Sequence, residues 1–519
     1  MRDLDLLRLE RRVGLMLAPL VESPGAAVGV ARDGALLLRR WVGLASVELN
    51  VPLGVTTTFR IASVSKQFTC AAILLLVRDG LLTTADLVRE HLPELPEALG
   101  SITLDHLMRN SSGLRDMLEL LRLGGADLGT PVTEAELDAA IARQTGLNFT
   151  PGSRFLYSNS GFRLLGRVVE QVSGQKLSTF LEERIFQPLG MTRTRHTPDL
   201  ARPVPGLATG YLPDGAAGFT RAQHAFPLGG EGGLVSGIED LALWARSLSV
   251  GGLGGGLGGG LEAQLDATAP FNNGTTNRYA LGLEVETWRG LRLVSHGGLW
   301  PGYKTAFLRI PEKRLTVIVI ANNARLDPHH MGLQVLEAAL DGDPSLQPAP
   351  KPFDYAAMTG SWLCEAEGFS LDVAADGTAR MHGVPFTLVP TADGRMAARR
   401  GGFPFVAAMP RGDAMEVEFD AGHVAIFQRA TATPPPPLDG IWHCAELAAE
   451  WRIADGAVHA SGPIRRAGPW AITALGPRHL RIAMPSALHE GWVDAVLAPD
   501  GASLVVNASR ARGLIFARG

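Results

Sequence analysis

Ser63-Val64-Ser65-Lys66 sets a hydroxyl and an amine one helical turn apart, at the head of an apolar run that predicts a helix over 66–77. A serine there sits where the helix dipole favours developing negative charge. A lysine drawn into the core by such a helix loses basicity, and its neutral amine can take the serine proton. The other reading is a capping serine beside a solvated lysine. Ser173-Gly174-Gln175-Lys176 has the same spacing but follows a glycine break. Lysine is scarce, with Lys66, Lys176, Lys304, Lys313 and Lys351 the five among 48 basic residues. A lysine beside a motif is therefore notable.

Tyr157-Ser158-Asn159 follows a Thr150-Pro151-Gly152-Ser153 turn and precedes a predicted helix over 162–172. A phenol near an ammonium can relay protons, although a tyrosine that merely packs reads the same. His296-Gly297-Gly298 closes a strand predicted over 291–295. Glycines at a strand end admit another backbone or a substrate, and the Leu299 amide with that of Ser63 would form an oxyanion hole. A turn with an incidental histidine is the alternative. No G-x-x-x-x-G-K-[ST], H-E-x-x-H or G-x-S-x-G occurs.

S-x-x-K, Y-x-N and H-x-G in this order resemble the penicillin-recognising serine hydrolases, which include class C β-lactamases, D,D-carboxypeptidases and related esterases. The stretches that carry the resemblance are SVSKQFTCA at 63–71, NSSGLRD at 110–116, ERIFQPLGM at 183–191, YALGLEVE at 279–286 and SHGG at 295–298. For the D-stereospecific aminopeptidases of this group it extends over the whole chain. Position 296 holds His where lactamases and carboxypeptidases usually carry Lys, which favours the aminopeptidase or esterase branches.

The resemblance implies Ser63 as the acylated nucleophile, with Lys66 and Tyr157 activating it and protonating the leaving amine. Asn159 resembles a substrate-binding amide and His296 the third-motif residue, with Gly297, Gly298 and Leu299 beside the substrate. A free substrate ammonium needs a carboxylate or carbonyls. Glu231 matches an acidic position of the similar enzymes, Glu284 is the alternative on the strand paired with that of His296, and a solvated loop glutamate remains the plain reading of Glu231. A loop of the last domain is expected to reach the site. Its counterpart would be 461–470 (SGPIRRAGPW), which departs from the family by carrying Arg465 and Arg466, and a solvated hairpin tip is the other reading.

These readings imply release of an N-terminal D-amino acid, such as D-Ala, from peptides, amides or esters, without metal or cofactor. The alternatives are a short-chain esterase or lactam hydrolase on the same fold and, from another class, a non-catalytic ligand sensor. A homodimer is implied by resemblance alone.

The elements that would hold these residues run helix, hairpin, many helices, strands, helix. Helices are expected over 1–20, 104–108, 134–143, 178–185 and 238–248, and strands at 25–30, 36–41, 279–286, 291–295, 305–310 and 315–321, closed by a helix at 331–340. That is an α+β layout with an antiparallel sheet of β-lactamase/D,D-peptidase type. The run 251–260 (GGLGGGLGGG) reads as a flexible loop. Proline-rich stretches at 342–353 and 431–437 read as linkers. Beyond the first, G-x-W-x-C recurs at Gly360 and Gly440 with an Asp-Gly turn following each, so two small antiparallel β-barrel domains are expected. The division is a catalytic domain at 1–345 and barrels at 346–433 and 434–519.

The 519 residues carry a net charge of −4, so no basic footprint argues for nucleic acid. No apolar run approaches the roughly 18 residues that span a bilayer, and the charged N-terminus lacks a signal core, so no membrane partner and a cytoplasmic setting are expected. Cys70, Cys364 and Cys444 are too few and too separated for a disulfide framework or zinc site.

Overall fold

Leu9, Val13 and Leu17 recur at helical spacing, and the Leu6–Leu17 helix buries all three. With the Pro328–Ala339 helix it covers one face of a six-stranded antiparallel sheet. The strands run in the order Glu284–Trp288, Leu291–Trp300, Tyr303–Ile310, Leu315–Ala321, Ala26–Arg32, Ala35–Val42. Every residue of Leu315–Ala321 is buried, as a central strand covered on both faces requires. Its odd residues join the core with the two terminal helices, while Ile318 and Ile320 face the core built on Phe68, Phe162 and Trp244. The computed structural model describes residues 5–127, 129–216, 218–249, 260–349, 353–391, 393–399, 405–485 and 491–519. All but the last residue of the glycine-rich run at 251–260 lies outside them.

Two closed barrels of eight antiparallel strands follow, from Gly360 to Arg429 and from Gly440 to Arg518. The G-x-W-x-C repeats are their first strands, and the two units are built alike. Trp362 and Trp442 are fully buried, donating Nε1–H to the Met358 and Leu438 carbonyls at 2.8 and 2.9 Å. Each ring is capped by an arginine of the last strand of its barrel, Arg429 and Arg518. The barrels meet through polar contacts: Arg481 grips Asp372, and Asp494 lies between His382 and His479. Among the described residues no helix is long and apolar enough to cross a membrane. Cys70, Cys364 and Cys444 are free and buried.

Two strand expectations are corrected. Of the stretch 279–286 only residues 284–286 pair with the sheet, as the start of the strand Glu284–Trp288. Before it the chain turns at Gly282, φ +70°, where a Cβ would come within 2.8 Å of the Lys66 backbone. The His296-Gly297-Gly298 strand does not stop at 295. It pairs with Tyr303–Ile310 out to Trp300, so the motif lies inside the strand.

Candidate active site

The Lys66–Arg78 helix is buried all round as far as Leu76, its apolar residues spread over every face and Lys66, Gln67 and Thr69 buried among them. It is entered through a single tight turn, Ala62–Ser65, which carries Ser63 half-buried at its second position. Ala62 adopts φ +48°, a left-handed conformation costing roughly 1–2 kcal/mol for a residue with a Cβ. The strain sits one residue before the hydroxyl that the site presents.

Lys66 is 0% exposed, and its Nζ has three oxygen partners: Ser63 Oγ at 3.1 Å, Asn159 Oδ1 at 2.8 Å and the Glu231 carbonyl at 2.6 Å. Burial lowers its basicity to about 7, against the nearby Glu231 carboxylate, which pulls the other way.

Asn159 opens the helix Asn159–Ser173, and its neighbours are held by side chains that satisfy the free N–H groups of that helix start. Asn110 Oδ1 accepts from Ser158 N at 2.9 Å and Asp116 Oδ2 from Asn159 N at 2.6 Å. Tyr157 is buried, its hydroxyl turned to Ser63. Burial pushes this phenol well above its ordinary range, opposed by the charge of Arg510. Lys66 Nζ lies 4.9 Å from the centre of its ring.

The His296 strand closes the other side. A Cβ on Gly298 would fall 2.2 Å from the Ile61 carbonyl oxygen, so this glycine lets the strand reach the segment leading into the Ser63 turn. Gly297 and Leu299 are exposed on either side. His296 is 3% exposed, and burial followed by the charge of Lys66 lowers its pKa to about 3. Its Nε2 meets the Tyr279 hydroxyl at 2.8 Å. Tyr279 lies in the matched stretch YALGLEVE but was not singled out by sequence, since nothing local marks one buried phenol among its neighbours.

The remaining candidates divide. The Glu231 carboxylate is buried and turns inward: Oε1 accepts from Gly229 N at 2.9 Å, and the Arg163 charge acts on it. Burial raises its pKa, with Arg163 opposing. What Glu231 gives Lys66 directly is its backbone carbonyl. Glu284 is half-buried opposite Ser295 in the sheet, and its charge acts on both Tyr157 and Tyr279. Arg465 is exposed and bound to Asp127 and Thr130, both at 3.0 Å, while Arg466 is exposed at the foot of the same hairpin. Neither touches the Ser63 group. The contact from the last barrel comes from Arg510 instead, whose guanidinium lies 4.8 Å from the Tyr157 ring centre.

The beta-lactamase family profile matches residues 15–340. A D-aminopeptidase of Gluconobacter oxydans is 30% identical over 449 residues, 85% of this chain and 83% of that protein. A D-aminopeptidase of Brucella anthropi is 31% identical over 360 residues, covering 69% and 67%. Among solved structures, a penicillin-binding protein homologue from Pyrococcus abyssi shares the fold with TM-score 0.58 and 20% identity over 99% of this chain and 100% of its own. A D-amino acid amidase from Ochrobactrum anthropi gives TM-score 0.53 at 24% identity, over 64% of this chain and 98% of its own. Carrying the Ser63 turn, the buried Lys66 and the His296 strand on this sheet, the chain belongs to the beta-lactamase family, as a relative of these D-aminopeptidases.

Proposed function

We propose that this chain is a serine hydrolase that releases an N-terminal D-amino acid from small peptides, amides or esters through an acyl-enzyme on Ser63. One observation carries the chemistry. Of the three partners of Lys66 Nζ, the Asn159 and Glu231 oxygens can only accept, whereas the Ser63 hydroxyl can also donate. A neutral amine therefore keeps two N–H bonds for the two pure acceptors and turns its lone pair to Ser63.

Lys66 takes the Ser63 proton as Oγ bonds to the substrate carbonyl carbon. The Ser63 and Leu299 amides receive the oxyanion. Tyr157, a neutral phenol at rest, protonates the leaving nitrogen as the C–N bond breaks, and Lys66 returns the proton to Tyr157. Water then cleaves the Ser63 ester by the same route. Asn159 and the 297–299 backbone hold the substrate. Of the two glutamates we favour Glu284 for the ammonium, because the Glu231 carboxylate is turned to Gly229 and Arg163. The D preference rests on the named activity of the relatives.

The chemistry falls to residues 1–345, with 346–433 and 434–519 as the two barrel domains. Three buried free thiols fit a reducing, cytoplasmic setting.

D-alanyl and L-alanyl p-nitroanilide, p-nitrophenyl butyrate and nitrocefin, assayed side by side, test this reading. Hydrolysis of the D-anilide well above the L-anilide is expected, and Ser63→Ala should abolish it. Turnover of the butyrate alone would make the protein an esterase. No turnover and no adduct on Ser63 with a fluorophosphonate would leave a binding protein.

A further inference from the structure

The loop at 508–513, between the last two strands of the second barrel, is fastened to the catalytic unit on both flanks of Arg510. The Arg510 carbonyl accepts from Asp116 N at 3.1 Å and from Asn148 Nδ2 at 3.3 Å. Asn148 Oδ1 accepts from Arg512 N at 2.8 Å, Arg115 Nε donates to the Arg512 carbonyl at 3.1 Å, and the Ser509 hydroxyl donates to Glu119.

All of this anchoring is backbone or neighbouring side chain. The Arg510 guanidinium itself makes no hydrogen bond and no ion pair among the described residues. It is half-buried and lies against the face of Tyr157, and its charge also acts on the buried Glu119 carboxylate, which is itself bound to Arg122 and Ser509. Arg465, by contrast, is committed to Asp127 and Thr130. A cation with open donors on a firmly anchored loop, beside the group that faces the leaving nitrogen, is a receptor waiting for an anion.

The chemistry of a peptide says which anion. If Tyr157 protonates the leaving nitrogen, the α-carboxylate of a leaving amino acid is two bonds further on. It then falls beside a guanidinium stacked on the same ring. Amides and anilides bring no such group, and longer peptides carry their carboxylate further out. We propose that Arg510 binds the free carboxylate of the leaving residue, so that dipeptides with an N-terminal D-residue are the favoured substrates. This rests on the aminopeptidase reading above.

The test compares kcat/KM for D-Ala-L-Ala with that for D-Ala-L-alaninamide in the full chain. The wild type should favour the free acid by about 10- to 100-fold, the span expected for hydrogen bonds to a charged group. Arg510→Met should bring the ratio near one, Arg510→Lys should retain part of it, and Arg465→Met should keep the wild-type ratio. Each ratio is taken within one preparation, so a loss of folded protein cancels. A wild-type ratio near one, or a wild-type ratio surviving in Arg510→Met, overturns the proposal.

Failure of the underlying reading looks different: neither D-alanyl compound is hydrolysed while p-nitrophenyl butyrate is. The carboxylate role is then read from O-butyryl glycolate against O-butyryl glycolamide. A preference for the glycolate that Arg510→Met abolishes supports it, and equal rates refute it.

Discussion

The Tyr279 hydroxyl donates to His296 Nε2 at 2.8 Å, a direction fixed by the other ring nitrogen. Nδ1 stands 2.6 Å from the Gly297 carbonyl, which can only accept, so Nδ1 carries the proton and Nε2 is bare. Burial and Lys66 hold this imidazole neutral, with its pKa lowered to about 3. In the proposed mechanism the third motif therefore supplies an oriented, uncharged ring. Tyr279→Phe leaves a buried acceptor without its donor, a loss of about 1–3 kcal/mol. A fall in kcat/KM of about tenfold or more is expected on the D-alanyl anilide. Wild-type kinetics in this variant would mean that the orientation of the ring does not matter.

The acid limb of the rate profile should belong to Lys66. Its amine must be neutral to take the Ser63 proton, so kcat/KM rises with pH through about 7 and then levels. The neighbours set the direction of further shifts. The Glu231 carboxylate favours the ammonium, so Glu231→Gln should move the limb to lower pH. Arg510 disfavours it, so Arg510→Met should move the limb to higher pH. Limbs that move together, or not at all, would assign the titration to another group.

Adjacent glycines of one motif should respond oppositely to alanine. At Gly297 the nearest atom to an added Cβ is the Thr305 carbonyl oxygen at 3.8 Å, an ordinary contact. At Gly298 the Ile61 oxygen lies at 2.2 Å, and the strand must draw back from the Ser63 turn. A displacement of about 1 Å in a reacting geometry costs about 100-fold. Gly298→Ala should lose that much in kcat/KM while Gly297→Ala stays within a few-fold of wild type. Steady-state kinetics of the two variants on one substrate decide it.

The legible parts of this site are those whose partners lie close along the chain. Ser63 and Lys66 share one helical turn, and Tyr157 and Asn159 flank one helix start, so local spacing marks them as candidates, as it also marks Ser173 and Lys176. The His296 motif is visible in the sequence, but its setting differs from the expected strand end. Two glycines read as a turn, whereas the strand continues because Tyr303–Ile310 pairs with it and the Ile61 carbonyl needs the space. Tyr279–Leu283 reads as strand by its apolar residues, yet Gly282 must turn to pack on the Lys66 backbone. Arg510 carries no local signal at all. Its place depends on how the second barrel seats against Arg115, Asp116 and Asn148, more than 350 residues earlier in the chain. The resemblance places a contact from the last domain at the hairpin of Arg465, whereas the side chain against the Tyr157 ring is Arg510, from the loop at 508–513. The backbone amide of Asp116, paired with the Arg510 carbonyl, explains why the other loop is the one that arrives.

Asp116 also joins two helix starts through one side chain. Its Oδ1 accepts from Leu118 N and Glu119 N at 3.0 and 3.2 Å, capping the helix Met117–Leu123. Its Oδ2 accepts from Asn159 N at 2.6 Å, which fixes the residue whose amide oxygen holds Lys66. Loss of an N-cap costs about 0.5–2 kcal/mol. Asp116→Ala removes the cap and the Asn159 contact together, so both thermal stability and kcat/KM should fall. Asp116→Asn keeps one oxygen for the cap but sets an NH2 donor against the Asn159 N–H. It should therefore regain most of the melting temperature while kcat/KM stays depressed. Recovery of both quantities in the asparagine variant would show that Asp116 serves the helix alone and that Asn159 is positioned without it.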